Sequence, residues 1–179
     1  MNDSLLWTPS PEKIAATNMA AFMRRAGFDS YEALWQWSID QPEAFWPLIW
    51  DFCAAVGERG DTVLEHGDRM PGAVWFPQAK LNYAENLLRQ RDESDALVFW
   101  GEGKVKRRLS RARLYDEVSR FQLALKAAGV TEGDRVAGYL PNMPETIIAM
   151  LATTALGAVW SSASPDFGVQ GVVDRFGQI

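Results

Sequence analysis

Two periods alternate along the second half of the chain. Ala96-Leu97-Val98-Phe99-Trp100 is a short apolar run with strand character, Gly101-Glu102-Gly103 reads as a turn, and residues 104–109 can return as a second strand. Ser110 is placed to cap a helix in which Leu114, Val118, Phe121, Leu125 and Ala128 share one face, with Gly129 as its stop. After the turn Thr131-Glu132-Gly133-Asp134, residues 135–140 predict a strand, residues 145–156 a helix ended by Gly157, and residues 158–162 another strand. A loop over 163–168 leads into one more helix from Val169. Strand and helix succeeding each other at this spacing predict a parallel sheet with right-handed crossovers, in which the strands at 135–140 and 158–162 are covered on both faces.

The first 75 residues carry a different pattern, helical, aromatic and irregular. Ser10-Pro11-Glu12 is a helix start, and Gly27 is the expected end of that helix. Asp29-Ser30 caps a second helix, with Leu34 and Trp37 on one side. Asp40-Gln41-Pro42-Glu43 has the form of a capping box with Asp40 at the cap, before Phe45, Leu48, Ile49, Phe52 and Val56 at helical spacing. Pro47 conflicts with that helix, which alternatively begins near it. Trp35, Trp37, Trp46 and Trp50 fall close together; an aromatic binding platform is one reading, and a packed satellite core is favoured because Trp mostly contributes buried area. Residues 57–72, rich in Gly and charge, read as a loop or linker, and Asn82 as the cap of a short helix carrying Leu87 and Leu88.

With 179 residues, 47% hydrophobic and 23% charged, the chain has the make-up of one globular domain. The balance of 18 Lys+Arg against 23 Asp+Glu argues against non-specific nucleic-acid binding, and no nucleic-acid partner is expected. One cysteine, Cys53, and one histidine, His66, exclude an internal disulfide and a multi-Cys/His zinc site. Cys53 is read as a buried structural residue, and His66 as a solvated loop residue without a partner for acid–base work. The amino terminus has no basic segment followed by an apolar one, so no secretory leader is read, and the Asn2-Asp3-Ser4 glycosylation pattern is read as accidental. Residues 146–165 lack charge but hold several Ser, Thr and Gly and have no flanking Lys or Arg. They are read as a buried helix and strand rather than a membrane span, in a cytoplasmic protein.

Signals for chemistry are sparse. Gly101-Glu102-Gly103 lacks the third glycine of a dinucleotide fingerprint and precedes a basic strand, and neither a P-loop nor a nucleophile elbow occurs. The cluster Lys104, Lys106, Arg107, Arg108, Arg111 and Arg113 could meet phosphate; a solvated hairpin edge is favoured. The loop Ser161-Ser162-Ala163-Ser164-Pro165-Asp166 follows the carboxyl end of a strand, where open α/β sheets bind ligands; an ordinary capped loop explains it equally.

An ordered set of motifs is more specific. It comprises Leu114-Tyr115-Asp116-Glu117-Val118, residues 129–136, Leu140-Pro141-Asn142 with Pro144-Glu145, Met150-Leu151-Ala152, and Leu156-Gly157-Ala158-Val159. It resembles the opening of the large domain of the AMP-forming acyl-CoA synthetases, in the adenylate-forming superfamily. Trp75-Phe76-Pro77 with residues 81–88 is similar to the amino-terminal region of short-chain members, and with residues 157–168 the likeness falls on the branch that activates acetoacetate. The resemblance implies an α/β fold: a helical, aromatic-rich region over 1–75, then over 76–179 the first strand-helix units of a parallel sheet, an incomplete large domain. It implies acetoacetate, ATP and coenzyme A as small-molecule substrates, with Mg2+ at the phosphates. Family members are several times longer, and their phosphate loop, adenine motifs and catalytic Lys would lie downstream. The expectation is therefore an amino-terminal fragment, inactive alone, to which no catalytic residue is carried over. One binding role is carried by position: in relatives that bind acetate, the matching loop lies near the adenine of coenzyme A, which falls here on Ser164, Pro165 and Asp166. The aromatic and glycines of those relatives are replaced at these positions. An acetyl- or propionyl-CoA synthetase fragment, or a stand-alone nucleotide- or partner-binding module without catalysis, are the competing readings.

Overall fold

The computed structural model describes residues 6–179, so Asn2-Asp3-Ser4 lies outside the described residues. The chain divides into two compact units, Met1–Ala79 and Lys80–Ile179.

Four helices and a short ladder make up the first unit. Helix α1 (Pro11–Ala15) starts at Ser10, whose side chain accepts from the Lys13 amide, but it does not continue to Gly27. The chain breaks at Ala16, and Thr17 caps a separate α2 (Asn18–Ala26), accepting from the Ala20 amide at 3.1 Å. A second capping residue inside one apolar pattern offers the free amides a competing partner, so one expected helix is two. Gly27, at φ 80°, ends α2 in the left-handed region. Ser30 caps α3 (Tyr31–Asp40) as expected.

The capping box at Asp40 does not form. Asp40 is the last residue of α3, where it accepts from the Gln36 side chain at 2.9 Å, and α4 (Pro42–Phe52) starts from Gln41 without a side-chain cap. Pro42 occupies the first turn, where its missing N–H costs nothing, and α4 runs through Pro47 at the loss of one internal hydrogen bond. Cys53 is exposed, not buried, because it follows the last turn of α4 and lies off the stripe formed by Phe45, Ile49 and Phe52. The segment 57–72 is not wholly loop: β1 (Leu64–Glu65) pairs antiparallel with β2 (Val74–Trp75). The expected satellite core forms only in part: Trp37, Trp46 and Trp50 join ring contacts, but none of the four tryptophans is buried, and Trp35 is 51% exposed. Phe22 meets Phe45 and Phe52 edge-on, Trp37 meets Phe28 and Phe45, Trp46 meets Trp75, and Trp50 meets Phe76.

The second unit opens with α5 (Tyr83–Leu87), capped by Asn82, whose side-chain Nδ2 also donates to the Thr154 carbonyl at 3.0 Å. An antiparallel hairpin follows, β3 (Asp95–Gly101) and β4 (Val105–Ser110). Ser110 caps α6 (Arg111–Ala127), and Gly129, at φ 88°, closes it with its amide on the Lys126 carbonyl and the Val130 amide on that of Leu125. Next come β5 (Arg135–Tyr139), α7 (Pro144–Ala155) and β6 (Val159–Ala163), with β5 and β6 paired in parallel from Arg135↔Val159 to Tyr139↔Ala163. A single 3-10 turn (Pro165–Phe167) and α8 (Gly168–Phe176) complete the unit.

Its core gathers Ala84, Leu88, Leu109, Leu114, Val118, Ile148, Leu151 and Ala152 from α5, the hairpin, α6 and α7. Helix α7 is buried as expected, but β5 and β6 are not covered on both faces. Among the described residues they pair only with each other, and Tyr139 and Val159 remain about half exposed. Among the same residues no helix is long and apolar enough to cross a membrane.

Candidate functional site

The in-register pairing of β5 with β6 brings their carboxyl ends to one place. The Leu140 amide extends the ladder by donating to the Ala163 carbonyl at 3.2 Å. Beyond Ala163 the chain leaves the sheet at Ser164, whose extended backbone starts the 3-10 turn. Ser164 Oγ donates to Asp166 Oδ2 at 2.8 Å and accepts from the Asp166 amide at 3.4 Å, while the Phe167 amide donates to the Ser164 carbonyl at 3.2 Å. From the end of β5, the Tyr139 hydroxyl donates to the Pro165 carbonyl at 2.8 Å. Gly168, at φ 62°, then turns the chain into α8, and the Arg175 guanidinium lies 3.8 Å from the Phe167 ring centroid. Ser164, Pro165 and Asp166 thus sit together on one tight turn at the carboxyl edge of a parallel strand pair, with Pro165 and Asp166 exposed.

The basic cluster does not converge on one point. Along β4, Lys106 and Arg108 stand opposite Trp100 and Val98, and the Lys106 ammonium lies 4.3 Å from the Trp100 ring centroid. Arg108 pairs with Asp95, and Arg111 donates to the Ser94 hydroxyl. Arg107 pairs with Glu145 at 2.5 Å, and Glu117 receives both Arg113 and Arg120. A cavity of about 730 Å³ lies among these groups, lined by Arg107, Arg113 and Arg120 together with Phe121, Leu140 and Ile148. The cluster therefore runs along an exposed hairpin edge and into α6, as favoured from sequence, with Arg107, Arg108 and Arg113 in ion pairs that the sequence did not suggest.

Glu145 is the residue that sequence reasoning missed here. It stands in the first turn of α7, and burial raises its carboxyl, but the Arg107 hydrogen bond, a backbone hydrogen bond and the Arg107 charge together hold it below its ordinary 4.5. Its Oε2 atom is buried without a partner among the described residues. A glutamate early in a helix and a run of arginines on a nearby strand are both visible in the sequence; their pairing needs the hairpin and α7 to be brought together. Tyr139 was missed likewise, since nothing in a strand's last residue names its partner across 26 positions. His66 is exposed, immediately after β1. Among the described residues no three His, Cys, Asp or Glu side chains gather closely enough to hold a metal ion.

Comparison with known proteins adds two family matches. The family described as AMP-binding enzyme matches residues 84–177, and that described as acetyl-coenzyme A synthetase N-terminus matches residues 31–87. The chain is 51% identical, over 97% of its length, to acetoacetyl-coenzyme A synthetase of Rhizobium meliloti (strain 1021), and 40% identical over its full length to acetoacetyl-CoA synthetase of Xenopus tropicalis. It spans 28% of the length of each. The solved structure of acetoacetyl-CoA synthetase from Streptomyces lividans superposes with a TM-score of 0.88 at 40% identity, covering 98% of this chain and 29% of that one.

Proposed function

Because the chain belongs to the family of AMP-binding enzymes, we propose that it forms the amino-terminal portion of an acetoacetate–CoA ligase. The single observation that carries this reading is the 51% identity, over almost the whole chain, to a protein of that name. In the proposed reaction a carboxylate oxygen of acetoacetate attacks the α-phosphorus of ATP. An acyl–O–P bond forms and pyrophosphate leaves. The thiol of coenzyme A then attacks the acyl carbon, loses its proton, and AMP leaves with the bonding pair. Mg2+ would offset charge on the phosphates. The described residues offer no cluster of three His, Cys, Asp or Glu side chains that would hold it.

The division of labour belongs to the same reading. Residues 1–75 form the helical region of the synthetase amino terminus, and residues 76–179 begin the AMP-binding domain. Ser164, Pro165 and Asp166 form the contact for the adenine of coenzyme A. Support comes from their place at the carboxyl ends of β5 and β6, where α/β sheets take their ligands. The location is cytoplasmic. Since this chain spans 28% of its relatives' length, the reaction is assigned to the protein that contains it, not to residues 1–179 alone.

Exchange of labelled pyrophosphate into ATP tests the reading in the full-length protein its gene encodes. Acetoacetate is expected to drive exchange better than acetate or propionate. Faster exchange with acetate or propionate would move the assignment to those acids. Absence of exchange with every short carboxylate would overturn the ligase.

A further inference from the structure

We propose that Tyr139 is a positioning residue for the coenzyme A contact at Ser164, Pro165 and Asp166; the inference rests on that assignment. The turn's own hydrogen bonds, Ser164 to Asp166 and Phe167 to Ser164, reach no further than three residues along the chain. They fix the shape of the turn, but they do not fix its orientation on the sheet. The Tyr139 hydroxyl supplies that tie, reaching from the end of β5 to the Pro165 carbonyl at 2.8 Å.

The choice of acceptor matters. Proline has no N–H, so its carbonyl is the one main-chain hydrogen-bonding group through which Pro165 can be held. The register places Tyr139 opposite Ala163, two residues before Pro165, so the phenol projects along the exit path of β6. Tyr139 is 49% exposed. Its hydroxyl could be satisfied by water, yet it is directed to the turn. A flat purine stacked against a short turn gains affinity only if the backbone it meets is already fixed. A turn free to tilt must be ordered at the moment of binding, which weakens association.

The experiment uses the full-length protein and compares it with Tyr139→Phe, which keeps the ring and removes one hydroxyl, and with Asp166→Ala, which alters the turn directly. Coenzyme A affinity is measured by calorimetry. Pyrophosphate exchange, which needs no coenzyme A, serves as the control for the rest of the site. Hydrogen exchange at the Ser164, Asp166 and Phe167 amides reports the turn itself. Tyr139→Phe is expected to weaken coenzyme A by about three- to tenfold, the scale of one net hydrogen bond, to leave pyrophosphate exchange and melting temperature unchanged, and to speed amide exchange in the turn. An unaltered coenzyme A affinity in Tyr139→Phe beside a weakened one in Asp166→Ala overturns the role of Tyr139 alone. An unaltered affinity in both variants overturns the adenine contact, and the role of Tyr139 with it. Equal loss of pyrophosphate exchange and coenzyme A affinity in Tyr139→Phe would also overturn it, since that marks general damage.

Discussion

In the helices of the first unit Phe22 and Leu34 are the buried side chains, and the rest of the packing is aromatic and half exposed. In the second unit eight aliphatic or small residues from α5, the hairpin, α6 and α7 close into one buried cluster. The same burden of apolar residues is thus handled in two ways. Ring edges against ring faces tolerate partial exposure, because each contact is oriented and carries its own modest energy. Aliphatic side chains have no such orientation, and their stabilisation depends on excluding water and leaving no void. The difference teaches where sequence change is tolerated: broadly in the first unit, narrowly in the second.

The largest expected effect is therefore in the second unit. Leu151→Ala removes a side chain that is 2% exposed at the centre of the cluster. It should cost about 3–5 kcal/mol, a transfer loss plus a residual cavity. Hydrogen exchange in α6 and α7 would report it. Protection within about 1 kcal/mol of the unaltered protein would break the comparison, since it would mean that this core is as forgiving as the aromatic one.

Phe22→Leu probes the other side. It keeps an apolar side chain but removes the edge contacts with Phe45 and Phe52, at 5.8 and 5.1 Å. A loss of about 1–3 kcal/mol is expected, two aromatic pairs plus imperfect refilling. Six of the eight tryptophans of residues 1–179 lie in residues 1–79, so urea unfolding of that chain followed by tryptophan emission reads mainly this unit. A loss as large as that for Leu151→Ala would show that Phe22 behaves as an ordinary core residue and that the distinction is false.

Gly157 sharpens the picture at a smaller scale. It closes α7 at φ 73°, and a Cβ there would meet the Glu132 side chain at 3.0 Å. The neighbour is a flexible, exposed side chain that can move, so the cost of Gly157→Ala is mostly backbone strain, about 1 kcal/mol. Thermal unfolding would measure it as a small fall in melting temperature. No fall would mean that the left-handed stop is not needed once α7 is packed.

How much of this is legible in the sequence differs between the units for a physical reason. The second unit reads almost element by element, because its signals are local: Asn82 and Ser110 as caps, Gly129 and Gly157 as stops, apolar runs of strand length between them. The first unit misleads at Thr17, Asp40 and Cys53, where two capping side chains compete, or where one residue's shift along a helix moves a side chain out of the core. Coverage of β5 and β6 is overestimated because the rule for parallel strands assumes neighbours that the described residues do not supply. Of the candidate site, the turn at Ser164–Asp166 is visible as a strand-to-helix loop. Its tie to Tyr139 and the pairing of Arg107 with Glu145 are not, since both join residues far apart in the chain.

The smallest expected effect concerns that ion pair, a charged tie between the hairpin and α7 in the second unit. Glu145 is held below its ordinary 4.5 in the fold, so the folded state keeps it ionised where the unfolded chain takes up a proton. The stability it contributes is fully present above about pH 4.5 and is lost as pH falls through the lower folded value. Both side chains are more than two-fifths exposed, so solvent screening limits the contribution to less than about 1 kcal/mol. Asp92 and Asp134 are also held below their ordinary 3.8, by hydrogen bonds from Ser94 and Thr131, so acid lability alone does not identify Glu145. The difference between the unaltered protein and Glu145→Gln does. Urea unfolding of the two should differ by that small amount at pH 7, and the gap should close as the pH falls below 4.5. A gap that persists unchanged into acid would mean that Glu145 acts through its packing beside Arg107, as an aliphatic core residue does, and not through its charge.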